Sequence, residues 1–221
     1  MLFTRLRVGP GVQVNRRTAL RAGAAGLASL SGCVVGSREG PAFDESFENG
    51  LDGWRTDAAI GPEVDLDEFD WAIDATTDRA HTGGRSVAVF TEGDHDDGVA
   101  WLTRRVDTAA LDADRLRVSA WLWSESESFN TLRNAVLRVG PDPPAAEADF
   151  PAPETVSAGA TPTTTAGLRQ SLHRVEGWDR YAFEWRPATL PDEVYLSVGV
   201  AVVWEADATH YVDDVRVEAV E

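Results

Sequence analysis

Apolar and polar residues alternate with a period of two through most of the chain after residue 40. The clearest run is 194–204, where Val194, Leu196, Val198 and Val200 are separated by single intervening residues. A period of two places successive side chains on opposite faces of a β-strand. After the N-terminal segment, no stretch longer than about ten residues carries the 3.6-residue period of an amphipathic helix. The pattern therefore predicts an all-β fold.

Clusters of turn-forming residues, such as 81–84 and 92–94, separate the alternating segments. Eight or nine strands without helices predict one domain, a jelly-roll β-sandwich over 41–221. The segment 140–177 interrupts the rhythm with six prolines and a threonine-rich run. Since proline cannot pair within a central strand, we expect a long loop there. The expected strands are 42–48, 69–74, 86–91, 99–106, 116–123, 131–139, 181–185, 194–204 and 212–220.

An export-type segment precedes the domain. Arg16 and Arg17 lead into a short run rich in Ala, Gly and Leu that ends in small residues before Cys33, the only cysteine. The arginine pair resembles a twin-arginine signal, and Leu-Ser-Gly-Cys at 30–33 resembles a lipobox, whose cysteine is lipidated after cleavage. The run at 18–32 is too short to span a bilayer, which takes about 20 apolar residues.

These resemblances imply a signal peptide over 1–32 and a lipidated tether over 33–40. The lipid on Cys33 would hold the domain at the extracellular face of the cell membrane. The alternative is an amphipathic N-terminal helix with an incidental cysteine. A single cysteine cannot form an internal disulfide, so the domain must be stabilised by its core or by a metal.

The charge is strongly negative, and all 20 basic residues are arginine against 37 acidic residues. Five arginines and no acidic residue precede Cys33, which leaves 15 arginines and a formal charge of −22 for the rest. So acidic a surface repels itself in dilute buffer, whereas 1 M salt screens the repulsion between its carboxylates within about 3 Å. The composition therefore resembles that of proteins from extremely halophilic archaea. It argues against nucleic acid and anionic lipid as charge-driven partners.

Several short motifs occur in the order found in galactose-binding-like and carbohydrate-binding-module jelly rolls. The chain resembles these proteins over nearly the whole domain, and the resemblance implies their fold. That fold hosts many functions, so it does not by itself identify a ligand. The matching segments are Phe-Glu-Asn-Gly at 47–50 with Gly-Trp at 53–54, 80–87, 117–121, 177–183 and Tyr-Val-Asp-Asp-Val at 211–215.

The same resemblance implies a structural calcium ion beside the first and last strands. Matched residue by residue, its ligands would be Glu48 and Asp213, with Asp214 as a substitute and backbone carbonyls from the turn 83–86. Calcium prefers several oxygen ligands, which agrees with carboxylates brought together where the chain ends meet. The alternative is that these carboxylates are simply solvated.

Aromatic side chains at positions that alternate with the core predict a ligand platform. Sugar recognition needs an aromatic face for the apolar side of the ring and polar groups for its hydroxyls. The alternative is that the loop 140–177 packs over this face and makes the tryptophans a second core. The candidate ligand-binding residues are Trp101, Arg117, Trp121, Trp123 and Tyr195.

We expect no catalysis. The acidic run from Glu68 to Asp74 bears some resemblance to the strand carboxylates of jelly-roll endoglucanases, but its spacing differs from theirs. We expect a lipid-anchored surface protein that binds an extracellular ligand, with carbohydrate favoured. The alternatives are an envelope scaffold or protein-interaction domain without sugar binding, and a polysaccharide hydrolase.

Overall fold

The expected strands are present in the computed structural model, which describes residues 41–125, 132–172, 176–204 and 206–220. The predicted signal residues Arg16 and Arg17, Cys33 and the tether lie outside these ranges. Two short 3-10 turns cover Leu66–Glu68 and Glu147–Asp149. The strands are β1 (Phe43–Glu45), β2 (Trp54–Ala59), β3 (Trp71–Thr76), β4 (Ser86–Thr91), β5 (Val99–Asp107), β6 (Leu116–Ser124), β7 (Leu132–Gly140), β8 (Thr155–Val156), β9 (Ala166–Ser171), β10 (Gly177–Trp185), β11 (Glu193–Trp204) and β12 (Ala208–Ala219).

The strands form two six-stranded sheets. In sheet 1 the order is β10-β6-β12-β4-β3, and β1 pairs with the second half of β12. In sheet 2 the order is β2-β5-β11-β7-β9-β8. These pairings are antiparallel, so each sheet can bury one face and leave the other for loops, solvent or ligand.

The apolar faces of the two sheets meet in one core. On β6 the inward residues are Leu116, Val118, Ala120 and Leu122, all fully buried. The inward residues of β11 are the alternating Val and Leu side chains of 194–202, which are also fully buried. This arrangement confirms the predicted β-sandwich of jelly-roll type. The described residues contain more strands than the eight or nine expected, because β2, β8 and β9 are short and carry no clear alternation.

The segment 140–177 is not the continuous loop that its prolines predicted. Strand β9 lies within it and pairs with β7, and the short β8 pairs with β9. The six prolines all precede β9, so its backbone amides remain available for the ladder. Leu168 on β9 is fully buried in the central core. The prediction was therefore wrong for 166–171, where a single core-facing leucine gave little pattern.

Across the described ranges, no helix is long and apolar enough to cross a membrane.

Candidate functional site

Three aromatic side chains form a row across the outer face of sheet 1. Trp178 on β10 lies opposite Trp123 on β6, and Trp123 lies opposite Tyr211 on β12. All three are half-buried, and the rings of Trp123 and Tyr211 meet edge to face with their centroids 5.4 Å apart. Residues directly opposite on neighbouring antiparallel strands have Cβ atoms about 4.5–5.5 Å apart, so the strand register builds this aromatic row.

The connection between β3 and β4 lies over the same face. The guanidinium carbon of Arg79 is 3.7 Å from the centroid of Trp123 and 5.7 Å from that of Tyr211. The ring of His81 stacks on Trp121, with centroids 3.9 Å apart and planes inclined by 17°. Trp121 is therefore covered by an imidazole, whereas Trp123 is covered by one exposed arginine side chain.

A cleft of about 220 Å³ opens beside Trp123. Its aromatic wall is formed by Trp123 and Tyr211, and its polar groups include the guanidinium of Arg79 and the carboxylates of Glu125 and Asp207. Both acidic residues are exposed. We call this the aromatic cleft. It combines apolar ring faces with hydrogen-bond donors and acceptors, as small-molecule binding sites do.

The five predicted ligand-binding residues do not share one surface. Trp121, Trp123 and Arg117 belong to β6 in sheet 1, whereas Trp101 and Tyr195 belong to β5 and β11 in sheet 2. The two groups therefore lie on opposite sides of the sandwich. Alternation assigned each residue to an outer face correctly, but it could not distinguish one outer face from the other.

Trp101 is a core residue and is not available to a ligand, which corrects its predicted role. Its side chain is fully buried, and its ring meets Phe150 edge to face with centroids 5.3 Å apart. Val99, Val136 and Ala201 complete this small cluster on the outer face of sheet 2. A second core, the alternative to a ligand platform, is therefore present on the outer face of sheet 2, because part of the segment 140–177 packs over it.

Hydrogen bonds hold that covering segment in place. Arg138 on β7 donates from Nε to the carbonyl of Asp149 at 3.0 Å and from Nη1 to that of Asp142 at 2.6 Å. Burial lowers the pKa of Arg138 below its usual value. Arg138 thereby fixes the backbone before the turn, at Asp142, and at its last residue, Asp149, next to Phe150.

Arg117 and Tyr195 lie away from the aromatic cleft. Arg117 donates to Glu184 on the neighbouring strand at 2.7 Å, and Arg115 reaches the same carboxylate at 3.0 Å. The hydrogen bond from Arg117 is the main reason why the pKa of Glu184 is lowered. Tyr195 is half-buried on sheet 2, opposite Arg105 on β5. Of the five predicted residues, Trp123 alone is among those that line the cleft.

The predicted calcium ligands all contact the turn that contains His81. Asp213 is fully buried, and its Oδ2 accepts from the amides of His81 at 2.7 Å and Thr82 at 3.1 Å. Asp214 Oδ2 lies 2.5 Å from His81 Nδ1. Glu48 Oε1 accepts from the amides of residues 84 and 85, at 2.8 and 3.0 Å. The sequence therefore identified the residues that meet at this turn.

The contacts of these carboxylates are made with hydrogen-bond donors. Calcium takes about 6–8 oxygen ligands, and an amide N–H is not one. Among the described residues, no group of three or more Asp, Glu, His or Cys side chains is arranged to hold a metal ion. The three carboxylates are therefore arranged as acceptors in a hydrogen-bonded turn and fit this role better than that of a cation site. Calcium binding stays a prediction, which calorimetric titration of the chelator-treated domain with calcium would test.

Asp213 gives a pH-dependent prediction. Burial is the main cause that raises the pKa of its carboxyl, although amides of Thr82, Asp214 and His81 oppose the shift. A raised folded-state pKa adds stability that is complete below the unfolded pKa of about 3.9 and is lost as pH rises through the folded pKa. We expect the free energy of unfolding of the wild type, relative to Asp213→Asn, to be greatest below about pH 4 and to fall towards pH 7.

Urea denaturation at constant molar salt would measure this difference. A difference that grows with pH would contradict the prediction, because it would mean that the amide hydrogen bonds outweigh burial and lower the pKa.

The acidic run that bears some resemblance to glycosidase carboxylates lies elsewhere. Glu68 is in a 3-10 turn and Asp74 is on the edge strand β3, and both are exposed. Neither is among the residues that line the aromatic cleft. Retaining glycosidases need two carboxylates about 5 Å apart on either side of the bond they cleave. The run therefore provides no support for a hydrolytic site in this cleft.

Comparison with known proteins finds distant structural likeness and no sequence relationship. No protein-family model matches the chain, and no curated protein matches its sequence. A solved β-sandwich carbohydrate-binding module aligns with 80% of the chain and 61% of its own length, at 16% identity and a TM-score of 0.49. The family 22 carbohydrate-binding module of Clostridium thermocellum Xyn10B aligns over 83% and 95%, at 13% identity and a TM-score of 0.48.

An adhesin domain of Lys-gingipain from Porphyromonas gingivalis is similar to the same degree. It aligns with 80% of the chain and 97% of its own length, at 16% identity and a TM-score of 0.49. The chain spans less than two thirds of the first of these three structures and nearly all of the other two. Identities and TM-scores this low transfer no ligand to this chain.

Several residues of the cleft were not predicted as ligand-binding. Tyr211 belongs to a motif that served only to identify the fold. Arg79 and Asp207 lie in connections between strands, where no periodicity marks a side chain. The strand register and the paths of two connections, β3 to β4 and β11 to β12, bring these residues together, and neither can be derived from local pattern.

Proposed function

We propose that this domain is a non-catalytic module that binds an extracellular carbohydrate in the aromatic cleft. The observation that carries the proposal is the meeting of an indole and a phenol wall with two carboxylates and a guanidinium in one cleft. A pyranose ring has an apolar C–H face, which packs on an aromatic ring, and a rim of hydroxyls, which pair with planar polar side chains.

The charges of the cleft suit a neutral sugar. Carboxylates of Glu125 and Asp207 can accept hydrogen bonds from hydroxyls, and they would repel an anionic polymer. Arg79 covers the Trp123 ring in the free protein, but an exposed cation–π contact contributes only about 0.5–1 kcal/mol. A sugar ring can therefore take the place of Arg79, whose guanidinium then becomes a donor at the edge of the ligand.

Replacing Trp123 by alanine tests the proposal. We expect Trp123→Ala to weaken binding of neutral polysaccharides by about 30-fold or more, as expected for a central aromatic anchor worth about 2 kcal/mol. The measurement is calorimetric titration with xylan, β-glucan and galactomannan in molar salt. Tyr195→Ala removes an aromatic residue from the opposite sheet and should leave affinity unchanged. The proposal fails if no polysaccharide binds the folded domain, or if Trp123→Ala binds as tightly as the wild type.

We also propose that the domain is exported and anchored by a lipid on Cys33. The order of the arginine pair, the apolar run and the cysteine supports this proposal. Cys33→Ser should release the protein from the membrane fraction into the medium, measured by immunoblotting of cell fractions. Retention of the variant at the membrane would contradict lipid anchoring.

Replacement of Arg16 and Arg17 by lysine should separately reduce export if the twin-arginine route is used.

A further inference from the structure

Four threonines lie close together in the segment 140–177, before β9. They are Thr161, Thr163, Thr164 and Thr165, and all four are exposed, as is Pro162. We call residues 161–165 the threonine run. The stretch 155–168 around it contains no charged residue, although 26% of the whole chain is charged. Threonine-rich stretches with proline are typical of O-glycosylated segments, so the run has the composition and the exposure of such a segment.

Main-chain hydrogen bonds fix the threonine run to the edge of sheet 1. The amide of Thr163 donates to the carbonyl of Arg186 at 2.9 Å, and its carbonyl accepts from Trp185 Nε1 at 3.1 Å. Earlier in the same segment, the carbonyl of Ser157 accepts from the amide of Glu184 at 3.0 Å. Because the segment makes these bonds with its main chain, none of them depends on a threonine hydroxyl. A modifying enzyme would therefore meet exposed hydroxyls on a segment of defined path.

A shallow pocket of about 290 Å³ opens beside two of these threonines. Thr163 and Thr164 lie in its lining together with Thr189, and every lining residue is uncharged. The lining also includes Pro141, Pro162, Pro187 and Pro191. A sugar ring has an apolar C–H face that can pack on proline rings, and its hydroxyls can pair with threonine hydroxyls. The pocket therefore suits the first sugar of a glycan attached to Thr163 or Thr164.

Other exposed threonines have different surroundings. Thr77 is exposed, but Asp78 and Arg79 follow it directly. Thr82 is exposed as well, and its hydroxyl donates to the carboxylate of Asp214 at 2.7 Å. The sequence contains no Asn-X-Ser/Thr triplet, the acceptor of N-linked glycans, so a glycan on this chain belongs on a hydroxyl group. The threonine run differs from Thr77 and Thr82 because it presents several exposed hydroxyls without charged neighbours in sequence.

We propose that the exported protein is O-glycosylated on the threonine run. In this reaction a threonine Oγ1 attacks the anomeric carbon of a sugar that is activated as a phosphate ester. The bond from this carbon to Oγ1 forms as its bond to the phosphate oxygen breaks. The phosphate carrier leaves with the electron pair of the broken bond, and the hydroxyl proton passes to a base of the glycosyltransferase, so nothing is oxidised or reduced. The proposal rests on the export proposed above, and it is independent of the aromatic cleft and its ligand.

Mass spectrometry of the protein, purified from the membrane fraction of cells that produce it naturally, tests this proposal. Cleavage after Glu154 and Arg169 releases the threonine run in one peptide, 155–169. We expect this peptide to carry sugar on most molecules, and fragmentation that preserves the glycan should place the sugar within the run. The peptide that contains Thr77 should stay unmodified. Absence of the protein from the membrane fraction would overturn export and this proposal together, whereas an unmodified peptide from that fraction would overturn glycosylation alone.

Variants of the threonine run separate glycosylation from folding. Replacing all four threonines by alanine should remove the sugar and leave the midpoint of urea denaturation unchanged, because the side chains are exposed and the main-chain bonds remain. Replacing them by serine keeps the hydroxyls and should keep the sugar. Thr77→Ala is the matched control and should be modified as the wild type is. Sugar on Thr77 as often as on the run, or sugar that persists in the alanine variant, would overturn the proposal. The wild-type spectrum decides the question even if a variant does not fold.

Discussion

Replacing Trp101 by alanine should lower the free energy of unfolding by about 3–5 kcal/mol, the cost of deleting a large buried aromatic side chain. Trp101 is fully buried and packs against Phe150, so its loss would leave a cavity beneath the segment that covers sheet 2. Trp123→Ala should cost less than half as much, because Trp123 is only half-buried. Urea denaturation at constant molar salt measures both values.

Trp101→Phe is the matched variant. It keeps an aromatic contact with Phe150 and removes the indole Nε1, which is buried without a hydrogen-bond partner in the described part of the chain. We therefore expect Trp101→Phe to recover most of the stability lost in Trp101→Ala. A loss below about 1 kcal/mol in Trp101→Ala would match a surface substitution. It would show that the segment 140–177 leaves this face open and would restore Trp101 as a ligand-binding candidate.

Replacing Arg133 by alanine should lower the free energy of unfolding by at least about 3 kcal/mol, since each buried acceptor left without a donor costs about 1–3 kcal/mol. Arg133 is fully buried on β7. Its Nε donates to Thr91 Oγ1 at 2.9 Å, and its Nη2 donates to the carbonyls of Glu92 at 3.1 Å and Ala206 at 2.8 Å. One guanidinium thus ties the end of β4 to the connection between β11 and β12.

Two variants separate hydrogen bonding from packing at this position. Arg133→Met fills the space of the aliphatic stem without donors and should remain strongly destabilised. Arg55→Ala removes an arginine whose side chain is 60% exposed and should change stability by less than about 0.5 kcal/mol. Burial lowers the pKa of Arg133 to about 10, so the guanidinium is still charged at neutral pH. Equal stabilities of Arg133→Met and the wild type would contradict this role.

The strands of the sandwich were largely predictable because burial on one face imposes a period of two. The expected strand 86–91 coincides with β4, and the inward residues of β6 and β11 are those that alternation selected. β2 and β9 escaped prediction, since their sequences mix small, charged and apolar residues. Leu168 is the one large apolar residue of β9, and one residue cannot establish a period.

The candidate site was predictable only in part. Trp123 was selected correctly as an outward aromatic residue, and Tyr211 and Trp178 lie beside it through cross-strand register. Register depends on which strands become neighbours, which is a property of the whole sheet. Arg79 reaches Trp123 from the connection between β3 and β4. The carboxylates of Asp213 and Asp214 hold the adjacent turn of this connection through hydrogen bonds.

Alternation is a local property of an extended backbone, so the strand sequences are enough to assign each side chain to the core face or to the outer face. Composition gives the acidic charge, and the resemblance of the motifs at 47–50 and 211–215 to jelly-roll proteins indicated the carboxylates that meet at the turn of His81. The burial of Trp101 and the position of Trp123 in a cleft depend instead on the packing of the whole chain. Both tryptophans occupy equivalent outward positions on strands, and their exposure depends on which distant segment packs over each sheet. The segment that carries Phe150 covers sheet 2, and the segment that carries Arg79 and His81 lies over sheet 1.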